Sequence, residues 1–333
     1  MKAFTITKYS KESSLQLLEL PVPEIQENEV LVEVHAASVN QLDGKIKSGE
    51  FKLILPYKLP LILGHDVAGV VTKVGSKVTK FKVGDEVFAR PADFHVGTFA
   101  EFIAVNESDL ALKPKNISME EAASVPLVAL TVWQAFRQKS NLQKGQKVFI
   151  QAGSGGVGTI AIQVAKHLGA MVATTTSAAN VDLVKSLGAD LVIDYKKEDF
   201  ESILKNYDLV LNSQDPVTLE KSLRILKSGG KLVSISGPPD PTYAKEMGLS
   251  WFMKMAIYFL SYKVRSLAKK LNIDYSFLFM KANGKQLAEI TTLIETGIIR
   301  PVIDKIFPFG QTNDALAYVE SGRAKGKVVI KIK

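Results

Sequence analysis

The chain has 333 residues, of which 42 are Lys or Arg and 34 are Asp or Glu; its formal net charge is +8, and it has no cysteine. Without cysteine, disulfides and every zinc site built on thiolates are excluded. A hydrophobic content of 46% and a charged content of 23% are typical of a soluble globular protein, and the length suits two domains that each bury a core.

The basic charge bears on the class of partner. Its lysines are either scattered for solubility, which the sequence favours, or create a positive field that attracts a polyanionic cofactor. No block of Lys and Arg is typical of nucleic-acid binding, so we expect no nucleic-acid partner. No apolar run reaches the roughly 18 residues that span a bilayer, and the first residues lack the apolar core of a secretory signal. We therefore expect no stable membrane insertion and a cytoplasmic location.

The first third of the chain has short apolar strand patterns that Gly and Pro interrupt at close intervals, which predicts a compact barrel or sandwich. These strands are predicted at residues 30–34, 67–74, 86–88 and 98–105.

From residue 147 onward, short apolar strands alternate with segments of helical spacing, which predicts a parallel sheet with helices on both faces. The predicted strands are 147–152, 171–176, 191–194, 208–212 and 231–236. The predicted helices are 159–168, 181–187, a segment around Phe200, and 219–226.

A Pro-rich break at 237–241 precedes an apolar segment, residues 251–271, that contains five basic residues. The favoured interpretation is an insertion that packs against a cleft or a partner subunit, because apolar stripes in helices usually belong to a core. The alternative is an amphipathic helix that touches acidic lipid. A final strand is predicted at 327–333.

A glycine motif stands between the strand that begins at 147 and the helix that follows it. Gly153-Ser154-Gly155-Gly156-Val157-Gly158 matches G-x-G-x-x-G, in which the first glycine allows a tight turn, the second lets the backbone approach a pyrophosphate, and the third lets the helix pack near the strand. The helix N-terminus offers N–H groups to the phosphates. This context predicts a dinucleotide site.

The end of the next strand indicates which dinucleotide is bound. NAD sites usually have an acidic residue here, whereas residues 173–180 contain none. Thr175, Ser177 and Asn180 can donate hydrogen bonds to a 2′-phosphate, so NADPH is the expected cofactor, although no arginine strengthens the case. The alternative is that these threonines only satisfy a strand end.

Seven motifs in order along nearly the whole chain resemble the zinc-free quinone oxidoreductase branch of the medium-chain dehydrogenase/reductase superfamily, and most closely its members that reduce enones. They are Ala-Ala-Ser-Val-Asn at 36–40, Leu-Gly-His-Asp-Val-Ala-Gly-Val-Val at 63–71, Val-Gly-Asp-Glu-Val at 83–87, Gly-Thr-Phe-Ala-Glu at 97–101, Leu-Thr-Val-Trp at 130–133, Ser-Leu-Gly-Ala-Asp at 186–190 and Gly-Arg-Ala-Lys-Gly-Lys-Val-Val at 322–329.

The resemblance implies an α/β protein with a GroES-like β-rich catalytic domain and a Rossmann doubly wound parallel sheet domain. The first would comprise residues 1–125 completed by 300–333. The second would comprise 126–299, with an apolar insertion near 241–280. An active cleft would lie between them, and a homodimer is expected because dimers are the commonest soluble oligomers.

The resemblance also implies that no metal is bound. Zinc-dependent relatives have a catalytic cysteine near Asn40, a Gly-His-Glu motif and a further cysteine near Leu127, whereas this chain keeps only Gly64-His65-Asp66. One His and one Asp are too few ligands for catalytic zinc, so His65 is expected to be a buried, hydrogen-bonded side chain. Without a metal, hydride acceptors must be conjugated.

The expected activity is NADPH-dependent hydride transfer to quinones or to the C=C bond of α,β-unsaturated carbonyls. A non-catalytic NADPH-binding protein and a reductase of acrylate-type substrates remain alternatives. Four residues are predicted to be catalytic. Asn40 would lie by the nicotinamide, Asp43 would orient its loop, Thr131 would contact the nicotinamide end, and Tyr57 would roof the cleft. The alternatives are a turn amide for Asn40, a helix-start hydroxyl for Thr131 and a surface aromatic for Tyr57.

The remaining predicted residues bind the cofactor. Ser177, Asn180 and Tyr195 match positions for the adenosine phosphate end, and Asn212, Gln214 and Ser236 follow strands at the edge where ligands sit. Lys327 would reach a phosphate or the nicotinamide ribose, or would be a solvated surface lysine. The full predicted cofactor set is Gly153, Ser154, Gly155, Gly156, Val157, Gly158, Thr175, Ser177, Asn180, Tyr195, Asn212, Gln214, Ser236 and Lys327.

Overall fold

The computed structural model describes all residues from 1 to 333. Its chain divides into two compact units. The β-rich unit comprises residues 1–130 and 281–333, and the dinucleotide unit comprises residues 131–280. No helix combines the length and the apolar character that a membrane crossing requires.

The first segment of the β-rich unit consists mainly of strands. These are β1 (Lys2–Ile6), β2 (Gln16–Glu19), β3 (Glu29–Val39), β4 (Leu61–Ile62), β5 (Asp66–Val74), β6 (Glu86–Ala89), β7 (Phe102–Asn106) and β8 (Leu110–Leu112). Its helices are α1 (Gln41–Ser48) and α2 (Met119–Ala123). Helix α3 (Pro126–Trp133) begins in this unit and passes at Thr131 into the dinucleotide unit, where it continues as a π-helical segment, Gln134–Lys139.

Strands and helices alternate through the dinucleotide unit. The strands are β9 (Lys147–Ile150), β10 (Met171–Thr176), β11 (Leu191–Asp194), β12 (Tyr207–Asn212), β13 (Leu226–Ser234) and β14 (Asp274–Phe277). The helices are α4 (Gly156–His167), α5 (Val181–Ser186), α6 (Phe200–Ile203), α7 (Pro216–Arg224), α8 (Pro241–Glu246), α9 (Trp251–Leu260) and α10 (Tyr262–Lys270).

The chain then returns to the β-rich unit. This last segment contains α11 (Gly284–Glu295), β15 (Ile303–Pro308), α12 (Thr312–Glu320) and β16 (Lys327–Lys331).

The main sheet of the β-rich unit has seven strands in the order β15-β16-β3-β5-β6-β8, with β7 also paired to β3. Alternate residues of β3 enter one core, because successive side chains of a strand point to opposite faces. Val30, Val32 and Val34 pack there with Val67 and Val71 of β5. A smaller sheet has the order β2-β1-β4.

Helix α11 packs on the β-rich unit, although the sequence analysis gave residues 284–295 to the dinucleotide domain. The Thr291 hydroxyl donates to the Leu112 carbonyl at 3.2 Å, and the Asn116 amide donates to the Ile294 carbonyl at 3.0 Å. A Cβ on Gly284 would come within 2.2 Å of the Leu110 carbonyl oxygen, so this helix lies close against β8.

The dinucleotide unit is built on one sheet in the order β11-β10-β9-β12-β13-β14, and every neighbouring pair is parallel. Apolar side chains of the strands and helices form its core, including Phe149, Val210, Leu223 and Val264. The five predicted strands are present, and β14 is a sixth that the sequence analysis missed. The predicted fold class is confirmed.

Candidate functional site

The glycine motif forms the turn between β9 and α4, and close contacts leave no room for side chains at two of its positions. A Cβ on Gly153 would lie 2.2 Å from the Thr174 hydroxyl oxygen, and one on Gly158 would lie 2.3 Å from the Ala152 carbonyl oxygen. At Gly155 the nearest such atom is 3.3 Å away. The turn is therefore tight toward the sheet and open at its middle glycine.

Gly155 precedes α4, which begins at Gly156. First-turn N–H groups of a helix have no acceptor within the helix, and the helix dipole makes this end positive. An anion beside Gly155 would meet both features, so the turn is suited to a phosphate.

Polar side chains from β10 and the segment after it converge on the same turn. The Thr176 hydroxyl donates to the Ser154 hydroxyl at 2.9 Å, and the Asn180 amide reaches the Ser154 and Ser177 hydroxyls at 3.3 Å. The Thr175 hydroxyl accepts the Ala152 N–H at 3.1 Å, so it holds the turn itself. The structure thus brings Ser154, Ser177 and Asn180 together.

Tyr195 lies beside this cluster, because its N–H donates to the Thr176 carbonyl at 3.2 Å, while its ring is exposed. Lys196 and Lys197 follow it and are also exposed. The strand end lacks an arginine, and these two cations were not among the predicted site residues. Asp194, which ends β11, accepts the Lys196 N–H at 3.1 Å.

Asn212, Gln214 and Ser236 meet at the carboxyl ends of β12 and β13. The Asn212 amide donates to the Ser234 hydroxyl at 2.9 Å and to the Ser236 hydroxyl at 3.0 Å, and the Ser236 hydroxyl donates to the Gln214 carbonyl at 2.7 Å. The Asn212 Oδ1 atom is buried and has no partner in the protein. A tight glycine cradle and an orphaned acceptor at the same sheet edge fit a dinucleotide.

A second polar cluster lies in the β-rich unit around Asn40, which connects β3 to α1. The Asn40 amide donates to Asp66 Oδ2 at 2.8 Å, and its Oδ1 accepts from the ammonium of Lys327. The same ammonium lies 3.2 Å from Asp66 Oδ2. Ser38 adds a hydroxyl donor to Asp66 Oδ2 at 2.7 Å, and the Leu127 N–H donates to Oδ1 at 2.7 Å.

The cluster of Ser38, Asn40, Asp66 and Lys327 is buried, with Lys327 only 5% exposed. A buried ion pair costs desolvation, which is offset here because hydrogen bonds from the neighbouring groups occupy the carboxylate. The surface alternative for Lys327 is wrong. Its ammonium is held by Asn40 and Asp66 in the β-rich unit, and the sequence analysis missed Asp66 and Ser38 as its partners.

Asp43 supports Asn40 from the first turn of α1. Its Oδ2 accepts the Asn40 backbone N–H at 2.7 Å, and its Oδ1 lies 2.6 Å from Nδ1 of His65. Both Asp43 and His65 are fully buried, and the Nε2 atom of His65 has no protein partner. The carboxylate therefore fixes both the Asn40 backbone and the imidazole.

Tyr57 is buried, so the surface alternative for it is wrong. Its ring lies 5.3 Å from that of Phe94, and its hydroxyl forms no well-directed hydrogen bond. Burial raises the pKa of Tyr57 to about 12, and the negative charge of Asp93 adds to the shift, while the nearby backbone N–H of Phe94 opposes it. The hydroxyl therefore keeps its proton at neutral pH and is available as a donor.

Thr131 is the sixth of the eight residues of α3 and is buried, so it is not a helix-start hydroxyl. The structure assigns it to the dinucleotide unit, whereas Asn40, Asp43 and Tyr57 belong to the β-rich unit. No three His, Cys, Asp or Glu side chains are grouped so that they could hold a metal ion.

The Rossmann-like parallel sheet with its glycine turn is the architecture of a dinucleotide-binding protein, and the relatives named below identify its class as an oxidoreductase. Residues 26–115 match the alcohol dehydrogenase GroES-like domain, and residues 187–330 match the zinc-binding dehydrogenase family. Because relatives matched over 99% of this chain reach 37% identity, the chain belongs to the medium-chain dehydrogenase/reductase superfamily, as the motifs predicted.

Three similar proteins illustrate the match. The 2-methylene-furan-3-one reductase of Solanum lycopersicum is 37% identical over 99% of this chain and 79% of its own. The chloroplastic NADPH-dependent alkenal/one oxidoreductase of Arabidopsis thaliana is also 37% identical, with the same coverage. The structure of the quinone oxidoreductase from Coxiella burnetii matches with a TM-score of 0.87 and 30% identity, over 100% of this chain and 99% of that one.

Proposed function

We propose that this protein is an NADPH-dependent, zinc-independent reductase that transfers hydride to quinones or to the C=C bond of α,β-unsaturated carbonyls. The observation that carries the proposal is the buried ammonium of Lys327, bonded to Asn40 and close to Asp66. By the resemblance, zinc-dependent relatives have a catalytic cysteine near position 40, a Gly-His-Glu motif where this chain has residues 64–66, and a further cysteine near position 127. A fixed cation among these positions repels a metal ion and supplies a positive charge of its own.

The presence of the Lys327 ammonium instead of a metal ion limits the class of substrate that the protein can reduce. NADPH, when bound, supplies the hydride. A conjugated acceptor spreads the resulting negative charge onto its oxygen, so it needs hydrogen-bond donors rather than a metal. One hydride and one proton then convert an enone into the saturated carbonyl compound.

Within the β-rich unit, two side chains could donate or position a hydrogen bond to the substrate oxygen. The Asn40 amide is held between a carboxylate and an ammonium, which fixes its orientation before substrate binds. The Tyr57 hydroxyl is protonated and unpaired, so it can donate to an enolate-like oxygen. We propose Asn40 as the positioned amide, Tyr57 as the donor, and Asp43 as the residue that orients Asn40.

The cofactor preference has its own support. The glycine turn, Ser154, Ser177 and Asn180 present N–H, hydroxyl and amide groups, and Lys196 and Lys197 place positive charge next to them. A 2′-phosphate gains from both features. The name of the Arabidopsis relative also gives NADPH as that enzyme's cofactor. We propose Thr131, Asn212, Gln214 and Ser236 as the contacts of the nicotinamide half.

The remaining predictions concern assembly and location. β14 is an edge strand whose outer side pairs with no other strand, which supports a homodimer formed by strand addition. Light scattering on purified protein tests this, and a monomer at micromolar concentration would contradict it. The cytoplasmic location stays a prediction.

A substrate panel tests the proposed activity. Purified protein is assayed with 1,4-benzoquinone, a short enone and an acrylate ester, each with NADPH and with NADH. We expect NADPH oxidation with the quinone or the enone and a lower kcat/KM with NADH. Tight NADPH binding without turnover of any acceptor would instead favour the non-catalytic alternative.

A further inference from the structure

Helix α9 presents an apolar surface that nothing in the structure covers. Ile257 is its one buried side chain, whereas Phe252 is 78% exposed. We define the apolar patch by the most exposed large side chains of α9, which are Trp251, Phe252, Phe259 and Leu260, together with Tyr262 at the start of α10. Isolated exposed apolar residues are ordinary, but three exposed aromatic rings on one short helix, of which Trp251 and Phe252 are in contact, are typical of an interaction surface.

The charged residues of the segment that contains the apolar patch all have one sign. Residues 247–273 contain no Asp or Glu and five basic residues, which are Lys254, Lys263, Arg265, Lys269 and Lys270. Arg265 is partly engaged, since its guanidinium lies 4.4 Å from the Tyr258 ring centroid. Lys263 contacts Glu220 of α7. Lys254, Lys269 and Lys270 are exposed.

Helix α10 anchors this surface on the dinucleotide unit. Its Val264 and Ala268 side chains are buried in the core of that unit. Ser261 connects α9 to α10, and its hydroxyl donates to the Ile257 carbonyl at 2.8 Å. The apolar patch is therefore held on a packed support and does not depend on folding when a partner binds.

Two kinds of occupant fit an apolar surface of this kind, and the charges separate them. A second copy in a two-fold dimer would bring the basic segment against its equivalent, and the segment has no acidic residue of its own that could pair with the exposed Lys254, Lys269 and Lys270. An anionic bilayer surface instead attracts the cations, while Trp, Tyr and Phe side chains favour the headgroup region.

We propose that the apolar patch docks on an anionic lipid surface. The rings of Trp251, Phe252 and Phe259 enter the boundary between headgroups and acyl chains, and the exposed lysines lie against lipid phosphates. With ten residues, α9 lies in the interface and does not cross it. This role is independent of the reaction that the enzyme catalyses.

Vesicle flotation tests the proposal. We expect the full-length protein to float with vesicles of phosphatidylcholine and phosphatidylglycerol at low salt, to float much less at moderate salt, and to stay behind with phosphatidylcholine alone. The double variant Phe252→Ser with Phe259→Ser should lose flotation, and Lys254→Gln should weaken binding about fivefold. Leu53→Ser is the matched control, since Leu53 is an exposed apolar residue outside the apolar patch, and it should bind like the wild type.

Fluorescence gives a second readout. Trp133 and Trp251 are the two tryptophans, so Trp133→Phe leaves Trp251 as the sole probe. Its emission should shift to the blue with anionic vesicles and be quenched by brominated lipid. Absence of flotation and of the spectral shift would overturn the proposal. Dissociation of a dimer by the Phe252 and Phe259 substitutions, without vesicle binding by the wild type, would overturn it in favour of a contact between copies.

Discussion

Lys327 Nζ lies 3.2 Å from Asp66 Oδ2, and both side chains are buried. The pair arises from strand register. Val328 of β16 pairs with Val39 of β3, which brings Lys327 opposite Asn40, and Ser38 of β3 pairs with Asp66 of β5. The pairing of these three strands thus places an ammonium, an amide and a carboxylate within hydrogen-bond distance of one another.

Removal of the ammonium should destabilise the fold. Lys327→Met leaves the Asp66 carboxylate buried without its counter-charge, so we expect a loss of roughly 3–5 kcal/mol in the free energy of unfolding, measured by urea denaturation. Combining Lys327→Met with Asp66→Asn should recover most of this loss. Lys325→Met is the control, since Lys325 is exposed on the same segment. Equal stability of Lys327→Met and Lys325→Met would contradict the importance of the pair.

The third glycine of the turn should not tolerate a side chain. Gly158→Ala would place Cβ 2.3 Å from the Ala152 carbonyl oxygen, so α4 must shift away from the strand. We expect a loss of roughly 1–3 kcal/mol in stability and weaker NADPH binding, measured by thermal unfolding and by quenching of protein fluorescence. Gly310→Ala has open space around it and should leave both unchanged. Unaltered binding in Gly158→Ala would show that the turn does not need this close approach.

The two lysines after β11 should contribute to cofactor preference. Replacing both Lys196 and Lys197 with Ala removes positive charge beside Tyr195, so KM for NADPH should rise about tenfold while KM for NADH stays unchanged. The effect should shrink at high salt because exposed charges are screened. Lys144→Ala, an exposed lysine elsewhere in the unit, serves as the control. A parallel rise for both cofactors would argue against recognition of the 2′-phosphate.

Tyr57 should make stability depend on alkaline pH. Its pKa is raised from 10.0 to about 12 by burial, so the unfolded chain loses this proton at lower pH than the folded protein does. The stabilisation is complete below pH 10 and is lost as pH rises toward 12, by roughly 2–3 kcal/mol. Tyr57→Phe should therefore lose less stability than the wild type over this interval, as measured by chemical denaturation at stepwise pH. Identical pH profiles would mean that the hydroxyl is not buried in solution.

The same variant separates a catalytic from a structural role. At neutral pH, Tyr57→Phe should lower kcat while the melting temperature stays close to that of the wild type, because only an unpaired hydroxyl is removed. A fall in melting temperature with unchanged kcat would contradict the role of Tyr57 as a donor.

Periodicity predicted much of the fold from the sequence. The strands from 147 to 234 fall where alternation of strand and helix patterns put them, because most of their apolar side chains are buried in the core of the unit. β14 was missed because Asp-Tyr-Ser-Phe is short, half polar and at the sheet edge, where one side needs no apolar cover. The position of α11 was missed because helical spacing does not show which core its apolar face meets.

The candidate site was only partly predictable. The glycine turn and the hydroxyls near it are local in sequence, so their convergence followed from the strand–turn–helix pattern. The Asn40 cluster joins residues that are 26 and 287 positions apart, and it depends on strand pairing that no local pattern specifies. Resemblance identified Asn40 and Asp43, but not the partners that hold them.

The most direct test of zinc independence compares NADPH-dependent reduction of a short enone before and after exhaustive dialysis against EDTA, with the metal content of the protein measured in the same samples. We predict equal kcat and KM in both samples, and a metal content far below one ion per protein chain. Activity that disappears on dialysis and returns with added Zn²⁺ would contradict the account in which the Lys327 ammonium, rather than a metal ion, provides positive charge beside Asn40.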